Sequence, residues 1–263
     1  MDEKRLFFGF EAHAPWPEAM PDAGTLKAKH RHLTLVFLGN TSYSEVRALL
    51  SKMPKPPFKI APVGIADSLL CLPERHPRVV TWHVESFGKD PIGDYQEVLE
   101  GYFREAGYHI DKREFLKHIT LGRMPFSEKE WKKVFAPLPL YLGPLHLYES
   151  AGKLHYEPIW THHLLPPFKE IDHVADIAFE IHGEKIEDLF WNAQIALAFK
   201  APEILPFLER EKRVETIEEI IMSLNAITTE ADKEMGTPFK AVSFHGHVVK
   251  KKGVLSWEMI VDV

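Results

Sequence analysis

The sequence predicts an α+β protein in two units: a first unit of two similar α+β lobes around a central cleft, then a smaller α+β unit. Three observations lead there. His32-Leu33-Thr34-Leu35 and His118-Ile119-Thr120-Leu121 are near copies of each other, and strand-like and helix-like segments follow a similar order around each. The charge balance changes at Pro166-Pro167: residues 1–166 carry 21 Lys and Arg against 20 Asp and Glu, whereas residues 167–263 carry 11 against 18. Beyond those prolines the strand and helix pattern starts again.

The elements follow from local pattern. Arg5-Leu6-Phe7-Phe8-Gly9-Phe10 is a short apolar run of strand character, and Pro15, Pro17 and Pro21 mark the loop behind it. The first His strand ends at Gly39-Asn40. Ser42 to Met53 has helical spacing and stops at Pro54 to Pro57; Phe58 to Ile65 and Arg78 to Val84 are strand-like. A helix over about 92–106 ends at Gly107. After the second His strand, Ser127-Glu128-Lys129-Glu130 is a capping box, and Pro137 closes the helix it opens. Gly143 to Ser150 and Tyr156 to Leu164 complete the first unit, and Leu164-Leu165-Pro166-Pro167 reads as a linker. In the second unit Ile177, Phe179 and Ile181 alternate with Ala178, Glu180 and His182 as a half-buried strand. Lys185 to Lys200 and Val214 to about Lys233 are helical, and strands 239–249 and 255–261 meet at Lys251-Lys252-Gly253.

The chain has 263 residues, 45% of them hydrophobic, and a net charge of −6, which suits a folded protein with a sizeable core. One cysteine, Cys71, cannot form an internal disulfide, and no leader or long uncharged apolar run is visible. A soluble, cytoplasmic chain with no membrane partner is therefore expected. Lys27, Lys29 and Arg31 precede the first His segment; Lys112, Arg113 and Lys117 precede the second. These clusters read first as solvated edges, and second as guides for a phosphate.

On a strand, alternate side chains share a face, so each motif presents His and Thr on one side and two aliphatics to the core. The full pattern is expected by chance only ~0.03 times in such a chain, so two copies are evidence of design rather than accident. Two imidazoles that titrate near neutrality can serve as base and acid, and two hydroxyls can donate to phosphate oxygens. That is sufficient for metal-free cleavage of a phosphodiester. The motifs are symmetric, so the residues do not say which histidine is the acid. Zinc at the two histidines is disfavoured, because the threonines would have no role and no acidic third ligand has the spacing.

HLTL, HITL, the following Phe37-Leu38-Gly39, Arg123 and the opening RLFFGFEA resemble the 2H phosphoesterase superfamily over about residues 4–164. The branch they are most similar to is the bacterial and archaeal 2′-5′ RNA ligase group of RNA 2′,3′-cyclic phosphodiesterases. The resemblance implies a bilobal fold, with His118 as general base, His32 as general acid, Thr34 and Thr120 on phosphate, no cofactor, and a 2′-phosphate product. Arg123 has two readings, a phosphate contact and a strand cap. Phe8 and Phe10 likewise have two, a base-stacking surface and, as is commoner for such a strand, core.

In the acidic part, Asp172-His173-Val174-Ala175-Asp176 and Asp262-Val263 place carboxylates where strand ends can converge, a weak signal for Ca²⁺ or Mg²⁺ by itself. FKEIDHVADIAFEIHG, IEDLFWNAQIALAFK and FKAVSFHGH with WEMIVDV resemble archease, which assists the RtcB-type RNA ligase. That resemblance implies a divalent metal on Asp176, Asp262 and Val263, and a role in tRNA splicing or RNA repair. The chain departs from the archease pattern at Val174, where a Thr is usual, and in a shorter stretch before Phe239. The sequence thus predicts a phosphodiesterase unit over 1–165, acting on RNA with 2′,3′-cyclic phosphate ends, joined to an archease-like unit over 168–263. The competing readings are an RNA-end-binding adaptor and a phosphodiesterase for small cyclic nucleotides.

Overall fold

A computed structural model describes residues 2–21, 24–111, 113–152, 154–173 and 176–263. Lys112 of the second basic cluster and Val174 of the acidic motif lie outside the described residues.

Strands β1 (Glu3–His13), β2 (His32–Ser42), β3 (Val63–Leu72), β4 (Val79–Ser86), β5 (His118–Arg123), β6 (Leu138–Gly152) and β7 (His155–His162) form one sheet in the order β1-β2-β5-β4-β3-β6-β7. Long β6 also pairs with β1, so the sheet closes on itself. The two lobes expected from the repeat are therefore halves of one continuous sheet, joined by β6 and by a single β2–β5 pair, Leu33 with Ile119. Helix α2 (Pro91–Glu105), capped by Asp90, turns Ile92, Tyr95, Leu99 and Phe103 inward, the spacing of one helix face. Short helices α1 (Tyr43–Leu49) and α3 (Glu128–Val134) start at Ser42 and Ser127, whose hydroxyls accept from Glu45 and Glu130 N–H.

Phe8 and Phe10 are fully buried in the first core, which removes them as stacking surfaces. The strand expected over 58–65 lies instead at 63–72. Prolines 56, 57 and 62 withhold ladder donors ahead of it, while polar Asp67 and Ser68 are absorbed by a β-bulge beside Ala66. Helix α1 is shorter than the 42–53 spacing suggested. The expected linker is followed at once by a strand.

A second, four-stranded sheet contains β8 (Phe168–Ile171), β9 (Ile177–Gly183), β10 (Ala241–Lys251) and β11 (Val254–Asp262), in the order β10-β11-β9-β8. Helix α4 (Ile186–Lys200) buries almost every side chain from Leu189 to Ala198, and α5 (Ile217–Met235) packs against β10. α5 begins later than the pattern from Val214 suggested, at the Thr216 cap. A 3-10 turn over Pro202–Phe207 was not anticipated. The core of this unit runs into the first through Val63, Ile65 and Phe87, and Tyr141 of β6 packs against Phe168 and Phe199. Gly88, at φ +82°, lies flat under Trp191, where a Cβ would come within 2.5 Å of the indole.

Leu33 is fully buried on the far side of the sheet from His32 and Thr34. Leu33→Ala should lower the unfolding free energy by about 2–5 kcal/mol. A loss under about 1 kcal/mol in urea unfolding would show that this strand pair is not anchored in the core.

Candidate active site

The Leu33–Ile119 pair fixes the neighbours on either side. In an antiparallel ladder the register sets His32 across from Thr120 and Thr34 across from His118. Directly opposed residues share a face, so all four side chains stand together, while Leu33, Leu35, Ile119 and Leu121 enter the core. The sequence placed each pair on a face; the register places the two pairs on the same face.

Both imidazoles are held the same way. His32 Nδ1 lies 2.7 Å from the His30 carbonyl oxygen and His118 Nδ1 lies 2.7 Å from that of Leu116, each two residues back along the chain. A carbonyl can only accept, so each Nδ1 carries its proton and each Nε2 is free for chemistry. His32 sits among Phe7, Tyr148 and Tyr156, with ring centroids 4.7–5.1 Å away, and is only 6% exposed. This burial pushes its pKa down to about 4; burial also lowers that of His118, a less enclosed ring.

The site opens into a cleft of about 1350 Å³, lined among others by Thr34, His118, Arg123, Arg78, Arg113 and Phe37. His32 and Thr120 are not among its lining residues. A bulge at Leu35 and Val36 sends both of those side chains inward and returns Phe37 to the cleft, where it is 42% exposed beneath the Arg5 guanidinium. Arg123 ends β5 with its side chain in the cleft, and its N–H donates to the Gly24 carbonyl. Gly24 stands at φ +68°, so close to the Arg123 backbone that a side chain there would collide with it.

Two of the basic residues have other duties. Arg31 is buried, with its guanidinium over Trp16 and on the Leu26 carbonyl, and burial pulls its pKa to about 10; it pins the loop before β2 and is neither a solvated edge nor a phosphate guide. Lys117 bonds Ser86 and Asp90 at the start of α2.

Several polar neighbours were not visible in the motifs. Glu11 pairs with His32 across β1 and β2, but its carboxylate is turned to His146 and His13, and the hydrogen bond from His146 keeps it below the usual carboxylate range. His83 of β4 stands across from His118 and bonds Asp67. Only strand register reveals these partners, and single-sequence pattern does not supply it.

In the second unit Val261 pairs with Ile177, so Asp262 and Asp176 occupy the next register position at the end of that ladder. His173 Nδ1 lies 3.5 Å from Asp176, and Lys240 donates to the Val263 main-chain oxygen at 2.5 Å. Among the described residues no group of three or more His, Cys, Asp or Glu side chains is arranged to hold a metal ion, and no helix is long and apolar enough to cross a membrane.

Because the folded His32 ring resists protonation, the unfolded chain binds more protons between pH 6.5 and about 4. Stability should be full above that window and fall as pH drops through it, by about 3 kcal/mol from His32, with His118 adding in the same direction. His32→Gln should flatten the slope of unfolding free energy against pH; an unchanged slope would place the proton elsewhere.

No protein-family model and no curated protein matches the chain. Among solved structures, E. coli LigT complexed with 3′-AMP is similar at 23% identity and TM-score 0.45, over 62% of this chain and 98% of that one. A Thermus thermophilus protein is similar at 19% identity and TM-score 0.46, over 61% and 97%. A structure described as a phosphoesterase is similar at 22% identity and TM-score 0.44, over 62% and 99%.

Proposed function

We propose that the first unit is a metal-independent phosphodiesterase that opens RNA 2′,3′-cyclic phosphate ends to 2′-phosphates. The observation that carries this reading is the paired geometry: two imidazoles, each with Nδ1 tied to a backbone carbonyl and Nε2 free, beside two hydroxyls on one face of the sheet. In the reaction His118 Nε2 takes a proton from water as the oxygen attacks phosphorus. His32 protonates the departing 3′ oxygen, and the Thr34 and Thr120 hydroxyls donate to the phosphate oxygens. Burial leaves His32 neutral in the free protein, so its acid role requires a bound anion. A phosphate beside the ring favours the charged imidazolium and restores the proton that leaves with the 3′ oxygen. An RNA end suits the cleft better than a small cyclic nucleotide, since Arg78, Arg113 and Arg123 with exposed Phe37 extend it well past the four central side chains.

For the second unit the reading is a divalent-cation site that assists an RtcB-type ligase acting on the same class of RNA ends. The all-oxygen set of Asp176, Asp262 and the Val263 main-chain oxygen suits Ca²⁺ or Mg²⁺, although a cation using Val263 must displace the Lys240 ammonium.

Incubation with RNA bearing a 2′,3′-cyclic phosphate in EDTA should yield a 2′-phosphate, and His32→Ala or His118→Ala should each lower kcat/KM by ~10²–10⁴. A loss under about tenfold contradicts the assigned roles. Ca²⁺ or Mg²⁺ should raise the Tm of the wild-type chain and not of Asp262→Ala; equal shifts in both would remove the cation site.

A further inference from the structure

The two His-x-Thr motifs are alike, yet their surroundings differ. His32 is enclosed by the aromatic rings of Phe7, Tyr148 and Tyr156. His118 has a third imidazole beside it: His83 of β4 stands directly across the ladder. The neighbouring bond from Val84 N–H to the Lys117 carbonyl makes His83–His118 a non-hydrogen-bonded pair, the register in which cross-strand side chains come closest. Behind His83, at the β-bulge of β3, Asp67 accepts from the His83 Nδ1–H at 2.7 Å, and the Ser68 hydroxyl donates to the same carboxylate oxygen at 3.3 Å.

We propose that Asp67 and His83 form a charge-setting pair beside His118, in which a proton taken up on His83 and balanced by the Asp67 carboxylate disfavours a second proton on His118 and so holds His118 in its proton-accepting form. This rests on the phosphodiesterase reading above and concerns the base role of His118 in it. Like charges on two neighbouring imidazoles oppose each other. A proton entering the two rings is compensated on His83 by the Asp67 carboxylate, whereas the His118 Nδ1–H meets only the Leu116 carbonyl. A positive charge on His83 then opposes a second one on His118, in the same direction as burial.

The other groups facing His118 lie on β2, on β5 and in the loop before β5. β2 offers Thr34 across from it and His32 on the diagonal. Along β5, Arg123 reaches the cleft, and the loop before β5 adds His109, the ion pair of Asp111 with Arg113, and Glu114 to its lining. Asp67 and His83 act through His118, so they are positioning residues with an electrostatic duty.

The test is an NMR titration of the His118 ring in the full chain. His83→Gln should raise the His118 midpoint by about half a pH unit or more, the size of the repulsion between neighbouring unit charges in a wet cleft. His83→Arg keeps the charge and should leave the midpoint at or below that of the wild type. Asp67→Asn should raise it, and gives the same reading if His83→Gln fails to fold. An unmoved midpoint in the folded His83→Gln or Asp67→Asn chain, or an equal rise in His83→Gln and His83→Arg, overturns the proposal. With cyclic-phosphate RNA, the acidic limb of kcat/KM against pH should shift upward in His83→Gln along with the midpoint. The titration needs no substrate, so a chain that hydrolyses no cyclic phosphate would sink the enzymatic reading while leaving this charge coupling separately testable.

Discussion

The site depends on one cross-strand contact, Leu33 against Ile119. These two side chains are fully buried, and their pairing sets the register of β2 against β5. A slip of one residue would exchange the faces of a strand, sending its His and Thr into the core and its leucines into the cleft. The apolar side of the sheet therefore fixes the polar side. The Nδ1–carbonyl bonds of His32 and His118 then set the tautomers, so hydrophobic burial decides position and backbone polarity decides which nitrogen is free.

The same packing also acts on the charge of the two rings. The aromatic enclosure that orients His32 also disfavours its charged form. His118 is less enclosed and is paired with His83, which is tied to Asp67. Two copies of one motif thus sit in unlike electrostatic surroundings.

The second unit is not a loosely tethered appendage. Its core continues through Val63, Ile65 and Phe87 of the first, and Gly88 makes room for Trp191 at the junction. Tyr141, whose strand neighbour is His13, is flanked by Phe199 of α4. The fold of each part is thereby linked to that of the other, and the charge difference between them is carried on their exposed surfaces.

Much was legible from sequence alone. The apolar runs, the Ser127 capping box, the prolines and the repeated His-x-Thr segments pointed to most elements and all four central side chains, because strand alternation and helix capping are local. The bulges at Asp67 and at Leu35 and Val36 were not legible, since each is stabilised by the strand opposite. For the same reason nothing in the sequence marked Asp67, His83 or Glu11 as neighbours of the motifs, or Arg31 as a buried anchor despite its basic surroundings. By itself the sequence determined that His32 and Thr34 share a face, as do His118 and Thr120. Only the tertiary structure decided that these faces meet, which carbonyls hold the rings, and which imidazole lies beside another. Those outcomes depend on register between strands far apart in the chain, and register is set by the packing of the whole core.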